Sequence, residues 1–268
     1  MATDSKIEWT HHTFNPWWGC VKISPACKHC YAETWAKRVG SDVWGSRADR
    51  RFFTDNHWKQ PERWNREAEK AGERRRVFCA SMADVFERRA ELNEPRKRLW
   101  PIIESTPWLD WLLLTKRPQN IGKMAPWKSE WPSNIWLGTT VENQKYAEKR
   151  IPLLTEHDAS VHFLSCEPLL GPINLSTWID DLEWVIAGGE SGHYSRPMNP
   201  DWARNLRDQC EATDTAFHFK QWGHWAPDEL IHKGKRVTIE DHEMVACGKK
   251  KAGRFLDGRV HDGFPLAS

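Results

Sequence analysis

Only 3 of the 268 residues are tyrosine, and the chain holds no apolar run near the ~18 residues needed to span a bilayer. The missing run excludes a helical membrane span. The opening Met1 to Lys6 is polar and unlike a signal-peptide start, so the sequence predicts a soluble, cytoplasmic protein. Net charge is also scarce: 39 Lys plus Arg against 37 Asp plus Glu leave a formal +2, so any nucleic-acid surface must be local. The seven cysteines cannot all pair, and in a reducing compartment clustered cysteines bind metal or do chemistry. Against the few tyrosines stand 18 tryptophans, read as large packing residues of core and helix faces. True repeats, low-complexity tracts and long flexible linkers are absent, and one domain over 1–268 is expected.

What is present is a rhythm. Short apolar runs at Val77 to Ala80, Trp111 to Leu114, Ile135 to Leu137, Val161 to Leu164, Trp184 to Ala187 and Ala216 to Phe219 read as buried parallel strands. Helices fit between them, such as Gln144 to Leu154 behind an Asn143 cap and Asp201 to Cys210 opened by Pro200. With an early strand near Ile7 to Thr10, the alternation predicts an α/β fold. Its expected form is a partial or full TIM-like (β/α) barrel of six to seven parallel strands, with an open doubly wound sheet as the alternative. The charged stretch 40–76 reads as an insertion over one face, and 223–268 as a turn-rich C-terminal extension.

Cys20, Cys27 and Cys30 lie on C-x6-C-x2-C spacing in a loop with Pro16, Gly19 and Pro25, ahead of a helix from Tyr31. Three thiolates satisfy three irons of a 4Fe-4S cubane and leave the fourth open to a substrate. The competing reading is a structural zinc with His29, His11 or His12 as fourth ligand, in a nucleic-acid-binding module.

Side chains past the C-terminal ends of parallel strands surround one mouth, where such folds do chemistry. Following the runs come Ser81 and Asp84, Lys116 and Arg117, Thr139, Thr140 and Glu142, then Glu167, Glu190, Lys220 and Gln221. Any one of them alone reads as a loop cap or a surface ion pair, but six repeats make a candidate ligand site. Mixed acids, bases and hydroxyls in one mouth suit a small ligand with several polar and charged groups. Cys166 beside Glu167 is a candidate hydrogen donor, though a lone strand cysteine usually packs. The basic aromatic segment Arg47 to Arg76, with Arg50, Arg51, Phe52, Phe53, Trp58, Arg63, Trp64 and Arg74 to Arg76, is a candidate track for phosphates and bases.

Several stretches carry a resemblance: Lys6 to Thr10, Phe14 to Trp17 with Gly19-Cys20, Leu113 to Pro118, Ser165 to Pro172, Gly188 to Gly192 and Phe219 to Gly223. Through them the chain resembles a phage-associated family of three-cysteine-motif proteins, itself similar to radical S-adenosylmethionine enzymes, with a remote likeness to spore photoproduct lyase, a DNA repair enzyme. The resemblance implies a 4Fe-4S cluster on Cys20, Cys27 and Cys30, S-adenosylmethionine, an external electron donor, and modification or repair of a nucleic acid or nucleotide. Cys166, Glu167 and Lys220 are the expected catalytic residues. Ser81, Asp84, Lys116, Thr139, Glu142, Glu167, Glu190, Lys220 and Gln221 are the expected cofactor contacts. Two departures stand out. The first cysteine gap is six rather than the usual three, and Gly188-Gly189-Glu190 follows a late run rather than the second strand, so the methionine-binding role of that motif is not carried over.

Overall fold

The computed structural model describes residues 5–265; the outer ends of the expected domain lie outside the described residues. In chain order the elements are β1 His12–Thr13, α1 Tyr31–Arg38, α2 Asp55–Trp58, α3 Gln60–Ala71, β2 Arg75–Cys79, α4 Asn93–Glu104, β3 Leu109–Thr115, α5 Ile121–Met124 and β4 Ile135–Thr140. Then come α6 Gln144–Thr155, β5 Val161–Cys166, β6 Trp184–Gly188, α7 Pro200–Glu211, β7 Ala216–Gln221, β8 Trp225–Pro227, β9 Arg236–Ile239, β10 His242–Ala246 and α8 Lys249–Ala252. The seven strands of the main sheet follow one another in chain order from β1 to β7, and the pairs described are parallel. That order, with helical crossovers, is an α/β partial TIM-like fold.

The chain divides into two compact units. The first is Met1–Ile23, Ala32–Thr139 and Leu153–His162; the second is Ser24–Tyr31, Thr140–Pro152 and Phe163–Ser268. In the first, Phe14, Trp58, Val77 and Trp111 are buried, and Phe14 meets Trp111 edge-on at 5.7 Å. In the second, Phe163, Trp184, Ile186, Leu206 and Phe219 have essentially no exposure. Trp9, Trp17, Trp64, Trp111 and Trp184 are among the largest fully buried side chains, which is the packing role read from the composition.

Local chemistry explains the helices. Asn199 accepts a hydrogen bond from the Asp201 amide at 2.8 Å and Pro200 opens α7, whose Ala203, Leu206 and Cys210 recur at three and four residues on the buried face. Gly72, at φ 67, closes α3 in the left-handed conformation that a side chain would strain.

Four expectations need correction. The first strand is at His12–Thr13, not near Ile7 to Thr10, because the Thr10 amide turns back to the Ile7 carbonyl at 3.2 Å while Trp9 packs on Phe78. The stretch 40–76 does not simply interrupt the rhythm: after an irregular run over 41–54 come α2 and α3, which lead into β2 with Trp58, Trp64 and Ala68 buried. The strands β4 and β7 run on through Thr140 and Gln221, so Thr139, Lys220 and Gln221 lie within strands. Finally, 223–268 is more than turns: β8, β10 and β9 form a three-stranded antiparallel sheet.

Candidate active site

In the first unit, the loops that follow β1, β2 and β3 are tied together by Asp84. This buried carboxylate accepts from the Thr115 hydroxyl at 2.7 Å, the Lys116 amide at 3.1 Å and the Arg117 guanidinium at 2.7 Å. Burial pushes its pKa up, but the Arg117 charge and these hydrogen bonds outweigh that and hold it below the ordinary carboxylate value. The same guanidinium reaches Cys20 Sγ at 3.6 Å and donates to the Val21 carbonyl at 2.8 Å. Burial drives the Cys20 thiol up to about 12, with Arg117 pulling the other way. Asn15 donates to the Ser81 hydroxyl at 3.0 Å and accepts from the Met82 amide at 2.7 Å, and the Gly19 amide donates to the Met82 carbonyl. A Cβ on Gly19 would stand 2.3 Å from the Val43 carbonyl oxygen, so the residue before Cys20 must be glycine. The Thr139 hydroxyl is buried and bonded to the Thr115 carbonyl.

In the second unit, Cys27 ends a short 3-10 turn, Pro25–Cys27, which two buried carboxylates hold by its backbone. Glu142 accepts from the Ala26 amide at 3.3 Å and pairs with Arg150 at 2.8 Å, both side chains almost without exposure. Glu190 takes the Arg196 amide and guanidinium, and Arg196 donates onward to the Pro25 carbonyl at 3.0 Å. His29 stacks at 6.3 Å on Tyr194 from the same loop as Arg196.

A second polar group forms at the ends of β5, β6 and β7. Lys220 pairs with Glu167 at 2.8 Å, and the Ser165 hydroxyl reaches the other Glu167 oxygen. Their register explains the meeting: Ala187 faces Phe219 but Gly188 faces Gln221, so Lys220 is the extra residue of a β-bulge, which re-aims its side chain. Gly188 leaves room for Glu167, whose Oε1 would lie 3.0 Å from a Cβ there. Gly189 is required by Trp222, whose carbonyl oxygen would be 2.0 Å from its Cβ, and Gly223, at φ 86, by the Glu190 carbonyl at 2.3 Å. Buried Gln221 donates to the Ser191 hydroxyl at 2.8 Å. The glycine-rich matching stretches therefore mark close backbone approach.

The structure thus gathers Asp84, Lys116, Thr139 and Arg117 in one group and Glu167 and Lys220 in another. It gives Glu142 and Glu190 a task the sequence left unseen, holding the cysteine turn. Cys166 is fully buried, its thiol pushed well above the ordinary value by burial and by the nearby Cys210. None of the seven cysteines is in a disulfide. Of the histidines considered as zinc ligands, His11 Nδ1 accepts from the Arg76 amide at 2.8 Å and His12 stacks flat on Trp64 at 4.4 Å.

Part of the basic track is taken up inside the fold, while Arg47, Arg51, Phe52 and Arg63 stay exposed. Arg50 has no side-chain exposure; it pairs with Glu87 at 2.6 Å and caps the Val43, Gly45 and Ala48 carbonyls. Arg74 is paired with Asp110, Arg75 with Glu73, and Arg76 donates to the Trp9 carbonyl. Trp58 and Trp64 are core. Arg51 lies over the Trp18 ring at 4.7 Å.

A parallel (β/α) sheet with a thiol-bearing loop after its first strand, and charged groups at the strand ends, defines an α/β protein of partial TIM-like fold. The chain belongs to the family described as "Protein of unknown function (DUF5131)", which matches residues 4–265. Among solved structures it is similar to a spore photoproduct lyase double mutant with bound AdoMet and dinucleoside spore photoproduct, at TM-score 0.49 and 13% identity over 91% of this chain and 70% of that one. It is also similar to spore photoproduct lyase complexed with dinucleoside spore photoproduct, at TM-score 0.47 and 13% identity with the same coverage. None of the curated proteins matches.

Proposed function

We propose that this protein is a radical S-adenosylmethionine enzyme that holds a 4Fe-4S cluster on Cys20, Cys27 and Cys30 and acts on a nucleic acid or nucleotide. The observation that carries the reading is three thiols, none in a disulfide, on the one loop that follows the first parallel strand, the end of a (β/α) sheet where such folds do chemistry. Among the described residues no three His, Cys, Asp or Glu side chains are gathered as a metal site. The fit therefore rests on donor chemistry: three thiolates suit an open cubane, and the Arg117 guanidinium 3.6 Å from Cys20 offsets thiolate charge.

When bound, the cluster supplies the electron that cleaves S-adenosylmethionine to a 5′-deoxyadenosyl radical, drawn in turn from an external donor. The chain's own residues bind and orient. Glu167 and Lys220, partly exposed and opposite in charge, offer partners for the cofactor's amino and carboxylate groups. Ser81 and Lys116 are further contacts on the loops after β2 and β3. Asp84, Thr139 and Gln221 fix those loops and strand ends, while Glu142 and Glu190 fix the turn that carries Cys27. Buried Cys166 keeps its proton, the state a hydrogen donor needs. No helix among the described residues is long and apolar enough to cross a membrane.

The test is anaerobic reconstitution with iron and sulfide, reduction by dithionite and chromatography for 5′-deoxyadenosine. Formation of 5′-deoxyadenosine that disappears in Cys27→Ala supports the reading. A fully loaded protein that leaves S-adenosylmethionine intact refutes it, and stoichiometric zinc without sulfide would return the function to a metal-pinned binding module.

A further inference from the structure

Arg50 and Arg74 to Arg76 are engaged inside the fold, and the C-terminal extension carries a separate group of exposed lysines. Lys233, Lys235, Lys249, Lys250 and Lys251 are all exposed, and within the described residues Lys233, Lys235, Lys250 and Lys251 enter no ion pair. They come from two segments that flank one strand end. The Ala246 amide donates to the Lys235 carbonyl at 2.8 Å, and Gly234 lies so close that a Cβ would stand 2.3 Å from the Ala246 oxygen. Directly beyond Ala246, the Cys247 and Gly248 amides both donate to the His224 carbonyl, and the three lysines of α8 follow. Neighbouring acids are already engaged: Asp228 and Glu243 with Arg236, Asp262 with Arg254. Phe255, 53% exposed, stands just past the lysines.

We propose that this face of the C-terminal extension is a docking surface for the sugar-phosphate backbone of a nucleic acid. The proposal rests on the nucleic-acid clause of the proposed function and not on its cluster. Like charges held together, with Lys233, Lys235, Lys250 and Lys251 in no ion pair, raise the local potential, and a polyanion relieves it by displacing condensed counter-ions. A solvent-facing aromatic beside the lysines adds a platform on which a base can stack. An anionic membrane is the poorer match, since α8 is four residues long and its one buried residue, Ala252, faces the protein, leaving no apolar face to insert.

The experiment uses metal-free full-length protein, so that binding is read independently of any cluster chemistry. A fluorescein-labelled single-stranded oligonucleotide is titrated by anisotropy as salt rises from about 50 to 200 mM. Affinity should fall with salt by about 0.7 log unit per log unit of salt for each phosphate contacted, and Lys249→Gln/Lys250→Gln/Lys251→Gln should reduce that slope by about 2. Lys233→Gln/Lys235→Gln should reduce it by about 1.4 on the same basis. The charge-matched variant Lys123→Gln/Lys145→Gln/Lys149→Gln should bind as the unaltered protein does. Circular dichroism checks that all three variants are folded. The proposal is overturned if the unaltered protein does not bind, if the patch variants keep its slope, or if only phosphatidylserine vesicles are bound in a lysine-dependent way. Loss of patch binding beside intact cleavage of S-adenosylmethionine would separate this failure from failure of the enzyme reading.

Discussion

Replacing Glu142 by glutamine is the most revealing single change, because it acts on stability and on the cysteine turn together. The carboxylate is 0% exposed and its partner guanidinium 3%. Removing one member of a buried pair costs about 3–5 kcal/mol, since the other charge is left uncompensated in a poor solvent. Here Arg150 still has the Thr140 carbonyl at 2.7 Å and the Tyr146 ring at 4.3 Å, which places the cost near the lower end, about 3 kcal/mol. At about 2–4 °C per kcal/mol for a domain of this size, the melting temperature should fall by about 6–12 °C. The Ala26 amide would also exchange a charged acceptor for a neutral one. A loss of about 1.4 kcal/mol there would let Pro25–Cys27 open about tenfold more often. Iodoacetamide labelling of metal-free protein, read peptide by peptide, should show Cys27 reacting correspondingly faster. Cys20, held by Arg117 in the other unit, should be unchanged. The double variant Glu142→Gln/Arg150→Met should recover much of the stability by removing the stranded charge. A melting temperature within about 2 °C of the parent, less than one kcal/mol on that scale, with unchanged Cys27 labelling would refute the reasoning.

Three further outcomes follow from the geometry. Gly189→Ala and Gly223→Ala should each lower the melting temperature strongly, whereas Gly40→Ala, with open space around it, should cost only the strain of its φ of 72. Burial, partly opposed by the bond to the Asn15 carbonyl, lowers His57 to about 4, so the folded unit favours the neutral ring. That stability is present above the unfolded pKa near 6.5 and is lost as pH falls towards 4, and His57→Gln should flatten the decline of melting temperature over that window. Lys220→Ala should weaken S-adenosylmethionine binding about tenfold or more by calorimetry with little change in melting temperature, the signature of a ligand contact rather than a structural one.

The six main strands were legible because parallel strands buried on both faces read as unbroken apolar runs, as Trp184–Gly188 does. Their ends were not, since Gly138, Thr139 and Thr140 are small or polar and still lie in β4. Two-residue β1 offers no periodicity at all, and β9 hides its alternation among lysines and acids. The polar strand ends were visible as residue types, but their partners were not. Arg50 and Glu87 are 37 positions apart, and nothing local marks them as a buried pair. The same blindness put the buried Arg50 among surface cations and concealed that Glu142 and Arg196 hold the turn that ends at Cys27.

The central claim is that Cys20, Cys27 and Cys30 hold an iron-sulfur cluster, and iron and acid-labile sulfide analysis of anaerobically purified protein tests it most directly. The account predicts about four irons and four sulfides per chain. It further predicts their loss in Cys20→Ala, Cys27→Ala and Cys30→Ala and their retention in Cys210→Ala and Cys247→Ala. Equal iron in all five variants, or one zinc per chain without sulfide, would contradict it.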